Sequence, residues 1–170
     1  MRKVSLAVVG VAACCAASVT FAADDAATAL KQVQDRAAIE ALMWRYVRAL
    51  DTLDAAGYAA VFTEDGTFLS GNAQEHGRAE LSKMIDGLKK GRADREAKGE
   101  KSAPMYHVIA NHTIEFVGPN EARYNSYWMT VFGAVGQEVP TRVAAAGHGI
   151  DTVVRVNGEW LIKSRDVAPK

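Results

Sequence analysis

The sequence predicts an α+β domain: a curved, mostly antiparallel sheet with N-terminal helices on its concave face. Two observations point there. Up to about Gly91 the apolar residues recur at helical spacing, and from Met105 onward long runs rich in Val, Ile, Tyr and Trp alternate with turn signals. Helices first and a run of strands after is the order of an α+β domain, not the strand–helix alternation of a parallel sheet. A strongly curved sheet over helices closes a core and leaves a cavity.

The elements follow in chain order. Met1-Arg2-Lys3 is positively charged, Val4 to Ala17 is apolar and small, and Thr20-Phe21-Ala22 ends in small residues. This is the order of a secretory signal, with cleavage expected after Ala22 or Ala23. The apolar run is shorter than the roughly 20 residues of a membrane span. Val11-Ala12-Ala13-Cys14 resembles a lipoprotein box, but the stretch after Cys14 stays apolar instead of forming a polar tether, so soluble export is favoured. The expected domains are a signal peptide over residues 1–22 and one folded domain over 23–170.

Within that domain, Ile39, Leu42, Met43, Tyr46, Val47 and Leu50 form one stripe of an amphipathic helix. Asp54 reads as the N-cap of a short second helix, and Asp65-Gly66 as a turn into Thr67-Phe68-Leu69. Residues 77–91 read as a third helix, with Leu81, Met84, Ile85 and Leu88 on one face. The charged stretch 92–102 lacks an apolar period and reads as a frayed helix end or loop. Strands are expected over 106–117, 122–134, 141–156 and 160–167, with Asn157-Gly158 as a two-residue hairpin turn.

Composition narrows the function classes. The 170 residues carry no formal net charge, and loss of Arg2 and Lys3 with the signal leaves 18 basic against 20 acidic residues. Neither nucleic acid nor an anionic membrane is favoured as a partner, and no membrane association is expected unless Cys14 is lipidated. Both cysteines, Cys14 and Cys15, lie in the signal, so the folded domain has neither disulfide nor thiolate chemistry. His76, His107, His112 and His148 lack metal-ligand spacing, and strand alternation sets His107 and His112 on opposite faces. There is no Gly-rich phosphate loop and no Gly-x-Ser-x-Gly elbow, so no metal and no cofactor is expected.

The residues able to carry chemistry are few. Tyr46 lies on the apolar stripe of the first helix, and its hydroxyl needs a partner there. Asp51 stands beside that stripe near the helix end, where its carboxylate is either an ordinary turn group or points inward. His107 opens the first long strand, sharing a face with Ile109 and Asn111. A carboxylate against an imidazole fixes the ring tautomer and stabilises the imidazolium, leaving the other nitrogen as a general base. Arg165, if buried near the end of the last strand, needs an anion: Asp51 or an acidic group on a ligand.

Taken together, Ala49-Leu50-Asp51-x2-Asp54, Phe62-x2-Asp65-Gly66, His107-x3-Asn111 and Gly158-x-Trp160-x4-Arg165 resemble the SnoaL-like family of the nuclear transport factor 2-like superfamily. The likeness runs over nearly all of residues 33–167. It is nearest to the cofactor-free lyases of scytalone dehydratase, bile-acid dehydratase and lindane dehydrochlorinase type. The resemblance implies a cone-shaped α+β barrel with a catalytic Asp51–His107 dyad, Tyr46 as a hydrogen-bond donor and Arg165 in support. Ketosteroid isomerase is also similar around Tyr46, but the stretch that carries its carboxylate base is here Phe68-Leu69-Ser70-Gly71.

The expected function is therefore a cofactor-independent, dehydratase-like lyase acting on a small apolar, cyclic or polyketide-like substrate. The pocket is expected among Leu42, Phe62, Phe68, Met84, Asn111, Trp128 and Phe132. The alternatives are a small-molecule-binding protein without catalysis, an isomerase of the ketosteroid type, and a structural homodimer joined by a sheet face bearing Trp128 or Tyr127. A homo-oligomer, with a dimer favoured, and a periplasmic or extracellular location are expected.

Overall fold

The computed structural model describes residues 12–136 and 139–169, with side chains from residue 25 onward. The expected signal peptide and the lipidation site at Cys14 fall on residues outside the described side chains. The chain divides into two compact units, one ending at Ala37 and one beginning at Ala38. In the first, Lys31 Nζ donates to Asp35 Oδ2 at 2.7 Å, an i,i+4 pair on helix α1 (Ala12–Thr52). Among the described residues no helix is long and apolar enough to cross a membrane.

The second unit holds the sheet and its core. Ile39, Leu42, Met43, Tyr46, Val47 and Leu50 of α1 are all buried, as their helical spacing predicts. They pack with Phe62, Leu81, Ile85, Ile114, Trp160 and Ile162 in one apolar cluster. Helix α2 (Ala55–Ala60) starts at Asp54, whose side chain accepts a hydrogen bond from the Gly57 N–H at 3.0 Å.

Strand β1 (Phe62–Ser70) contains Asp65-Gly66, which is a bulge inside the strand rather than a turn before it. Its pairing with the last strand shifts register between Phe62 and Thr67. Thr63 Oγ1 donates to Asp65 Oδ1 at 2.9 Å, and a Cβ at Gly66 would stand 2.8 Å from that of Phe62. A short strand β2 (Ala73–His76), not foreseen in the sequence, folds back antiparallel on β1. Helix α3 (Gly77–Glu96) buries Leu81 and Ile85 and continues past Gly91 into the charged stretch. There the pairs Lys90–Asp94 and Arg92–Glu96 substitute for an apolar face.

Strands β3 (Met105–Gly118), β4 (Glu121–Phe132), β5 (Arg142–Val156) and β6 (Glu159–Asp166) complete a six-stranded sheet in the order β2-β1-β6-β5-β4-β3. Among the described strands, only β1 and β6 pair in parallel. The β5–β6 turn has Asn157 at φ 52° and Gly158 at φ 86°, the left-handed pair that a two-residue hairpin requires. The sheet curves but does not close, so β2 and β3 remain edges.

One irregularity in β3 changes which side chains face inward. Asn111 adopts φ 49°, and the register with β4 gains one residue between Ala110 and Thr113. Simple alternation would put His112 opposite His107. The bulge instead returns it to the His107 side, where it stacks on buried Tyr124 at 5.1 Å. Asn111, expected in the pocket, is the bulged residue and lies exposed.

Candidate active site

Helix α1 ends at Thr52 beside the start of β3, and this brings Asp51 to His107 across 56 positions of sequence. Asp51 Oδ1 accepts two hydrogen bonds from that residue, from its backbone N–H at 2.9 Å and from its ring Nδ1 at 2.7 Å. The side chains retain only 8% and 16% of their exposure, respectively, so water competes little for either bond. A carboxylate in that position favours the tautomer with its proton on Nδ1, in which Nε2 carries the lone pair. His107 also lines a cavity of about 210 Å³.

Part of the wall of that cavity is polar and buried. Arg165, only 2% exposed, places its guanidinium 4.4 Å above the Tyr46 ring, and both residues line the cavity. The anion that Arg165 requires is Asp151 on β5, not Asp51; cross-strand pairing sets the two side by side, and they form an ion pair. Burial pushes the Asp151 carboxyl up to about 7 although Arg165 pulls it down. Burial also opposes the charge of Arg165, but Asp151 more than restores it and holds the guanidinium protonated.

Further polar groups surround this pair. Tyr124, next to Asp151 across the sheet, is pushed up to about 12 by burial and then by that carboxylate. Tyr58, packed against Tyr46 at 5.3 Å, is raised well above the ordinary phenol range, again chiefly by burial. Ser126 Oγ, Asp151 Oδ1 and Arg165 Nε are buried without a hydrogen-bond partner among the described residues. Sequence reasoning missed Asp151 and Ser126. The available signal was alternation on β5, which sets Asp151 on the same face as buried Val153.

Of the pocket residues expected from sequence, Phe68 and Trp128 line the cavity, joined by Ile109 and Leu50. Leu42 and Phe62 are wholly buried in the core, packed between helix and sheet, and do not line that cavity. Met84 packs against the outside of that core, and Phe132 lines a separate cavity nearer the end of the sheet. Of Trp128 and Tyr127, either of which is expected on a sheet contact face, Tyr127 is exposed and Trp128 turns inward to the cavity. Among the described residues no three His, Cys, Asp or Glu side chains cluster as a metal site.

Trp128 owes its position to two neighbours. Its indole N–H donates to the Val167 carbonyl at 3.0 Å, and its ring lies over Gly147, where a Cβ would stand 2.7 Å from Cζ2. Gly147→Ala is expected to push the indole off Val167, at a cost of about 1–3 kcal/mol for overpacking. A shifted tryptophan emission spectrum together with a lower denaturation midpoint checks this; unchanged values for both would show that the ring is not wedged there.

Comparison with known proteins identifies the architecture. A model of the SnoaL-like domain matches residues 31–166. A candidate scytalone dehydratase from Novosphingobium aromaticivorans is similar at 29% identity and a TM-score of 0.64, covering 82% of this chain and 85% of that one. A nuclear transport factor 2-like protein with a cystatin-like fold from the same organism shares 23% identity at a TM-score of 0.69, with 85% and 88% covered. A Mycobacterium tuberculosis protein of unknown function shares 22% identity at a TM-score of 0.69, with 82% and 74% covered. No curated protein matches the chain.

Proposed function

The chain belongs to the SnoaL-like domain family, and from that premise we propose that it is a cofactor-independent lyase that removes water from a small apolar, cyclic β-hydroxy carbonyl compound. The observation that carries this reading is the Asp51–His107 hydrogen bond at the wall of a cavity lined by Phe68, Ile109 and Trp128. A general base needs an imidazole with a free nitrogen, a partner that fixes the tautomer, and a site poor in water.

In this mechanism His107 Nε2 takes the proton from the carbon next to the carbonyl. The electron pair of that C–H bond moves to the carbonyl oxygen, giving an enolate that the Tyr46 hydroxyl stabilises. As the carbonyl re-forms, the bond to the β-hydroxyl breaks, and that group leaves as water with the proton returned from the His107 imidazolium. Asp51 stays ionised and balances the imidazolium while it exists. Arg165 lies against the face of the Tyr46 ring and fixes the position of that donor in the cavity wall. An isomerase would need a second carboxylate base, and the position that would supply it is Ser70, which lines the cavity.

The assay is a naphthyl-substituted β-hydroxy ketone incubated in D₂O. Deuterium entering the α-carbon reports proton removal, and enone absorbance reports loss of water. Neither signal above background from the wild-type protein would reduce the chain to a binder. The same reading places the enzyme outside the cytoplasm, on the pattern of residues 1–22. N-terminal sequencing of exported protein is expected to begin at Ala23 or Asp24; an intact Met1 would remove that part.

A further inference from the structure

A second cavity lies further along the sheet from the one that holds the dyad. It has a volume of about 380 Å³, and its inner wall is apolar, with Leu53, Leu88, Met105 and Phe132. Its rim is cationic: Arg92, Arg95, Lys101 and Arg142 line it against Glu100. Arg92 is engaged by Glu96 at 3.1 Å. The Arg142 guanidinium lies 4.8 Å above the Phe132 ring, which seats it on the cavity wall without neutralising it.

The two cavities are neighbours on one face. Met105 stands two residues before His107 on β3, and Phe132 two residues after Thr130 on β4, a step of about 7 Å along each strand. Met105 pairs with Phe132, and Phe132 with Arg142, so the wall of the second cavity continues the row that carries His107 and Thr130. A ligand seated between Phe68 and Trp128 with a short arm along the strands reaches the cationic rim.

The geometry points to an anionic arm on the substrate, a carboxylate or phosphate held at Arg95, Lys101 and Arg142 while the apolar ring occupies the cavity beside the dyad. This rests on the reading of the dyad cavity as the substrate site and gives that substrate its class: an amphipathic acid. Each rim contact is partly solvated and modest, so selectivity comes from several together and weakens with salt.

Calorimetry with three probes sharing one ring tests it: 4-(1-naphthyl)butanol, 4-(1-naphthyl)butyrate and 4-(1-naphthyl)butyl phosphate. None carries a leaving group, so the result is independent of turnover. At low salt both anions are expected to bind about tenfold more tightly than the alcohol, the sum of two or three exposed ion contacts. The advantage should vanish in the double variant Arg95→Gln/Arg142→Gln, whose replaced side chains are exposed, while the alcohol binds as before. The phosphate binding more tightly than the butyrate assigns a phosphorylated arm, and the reverse a carboxylic acid; both support the inference. Equal affinities for acid and alcohol, a preference that survives the double replacement, or no binding by any probe overturns it. In the wild-type protein, turnover without any preference for the anions would remove the anionic arm alone, whereas a preference without turnover would remove only the lyase reading.

Discussion

His107→Ala is expected to lower kcat by about 10²–10⁴-fold, the usual contribution of a positioned general base. The fold should survive, because the backbone N–H of residue 107 still donates to Asp51 Oδ1 when the ring is gone. Asp51 then keeps one of its two hydrogen bonds and is not stranded. Asp51→Asn is the companion variant, and a loss of similar size is expected from it for a different reason. Its amide is able to present an N–H to Nδ1, which moves the ring proton to Nε2 and removes the lone pair that takes the substrate proton. Asp51→Ala would be uninformative, since it also frees the end of α1 from β3. Single-turnover rates at saturating substrate, with circular dichroism to show an intact fold, make the measurement. Undiminished turnover in His107→Ala would sink the dyad, whatever the geometry.

The dyad was legible in the sequence only through its order in the chain. Helical spacing alone left Asp51 undecided between a turn residue and an inward carboxylate, and a lone strand histidine is ordinarily structural. The apolar stripe of α1, the Asp54 cap and the Asn157-Gly158 hairpin were readable because each depends on local chemistry. What local pattern hid were the departures from regular periodicity. The extra residue at Asn111 reverses the alternation of β3 and brings His112 round to Tyr124, and the Asp65-Gly66 bulge looks like any Asp-Gly turn. The partner of Arg165 was hidden for another reason. A buried arginine announces that it needs an anion but not which strand supplies one, and Asp151 acquires its role from the β5–β6 register.

That buried pair leads to the second large effect. Arg165→Met is expected to destabilise the domain by about 3–5 kcal/mol near neutral pH, because it leaves Asp151 buried without its counter-charge. The cost should depend on pH in a definite direction. Burial already lifts Asp151 to about 7 with Arg165 in place, whereas the same carboxyl in an unfolded chain titrates near 4. A carboxyl raised by folding keeps its proton where the unfolded chain has lost it, so its contribution is fully present below about pH 4. It is lost as pH rises through the folded value, about 7 in the wild type. Without the guanidinium the folded value climbs further and the loss extends above pH 7. Urea unfolding should therefore show a smaller deficit for Arg165→Met at pH 5 than at pH 9; equal deficits would mean that Asp151 does not carry the effect. The double variant Arg165→Met/Asp151→Leu is expected to recover to within about 1 kcal/mol of the wild type, since packed apolar side chains replace a buried ion pair at little cost. If its stability returns while turnover remains low, the guanidinium above Tyr46 serves the reaction and not the fold. Recovery of both together would assign the pair to structure alone.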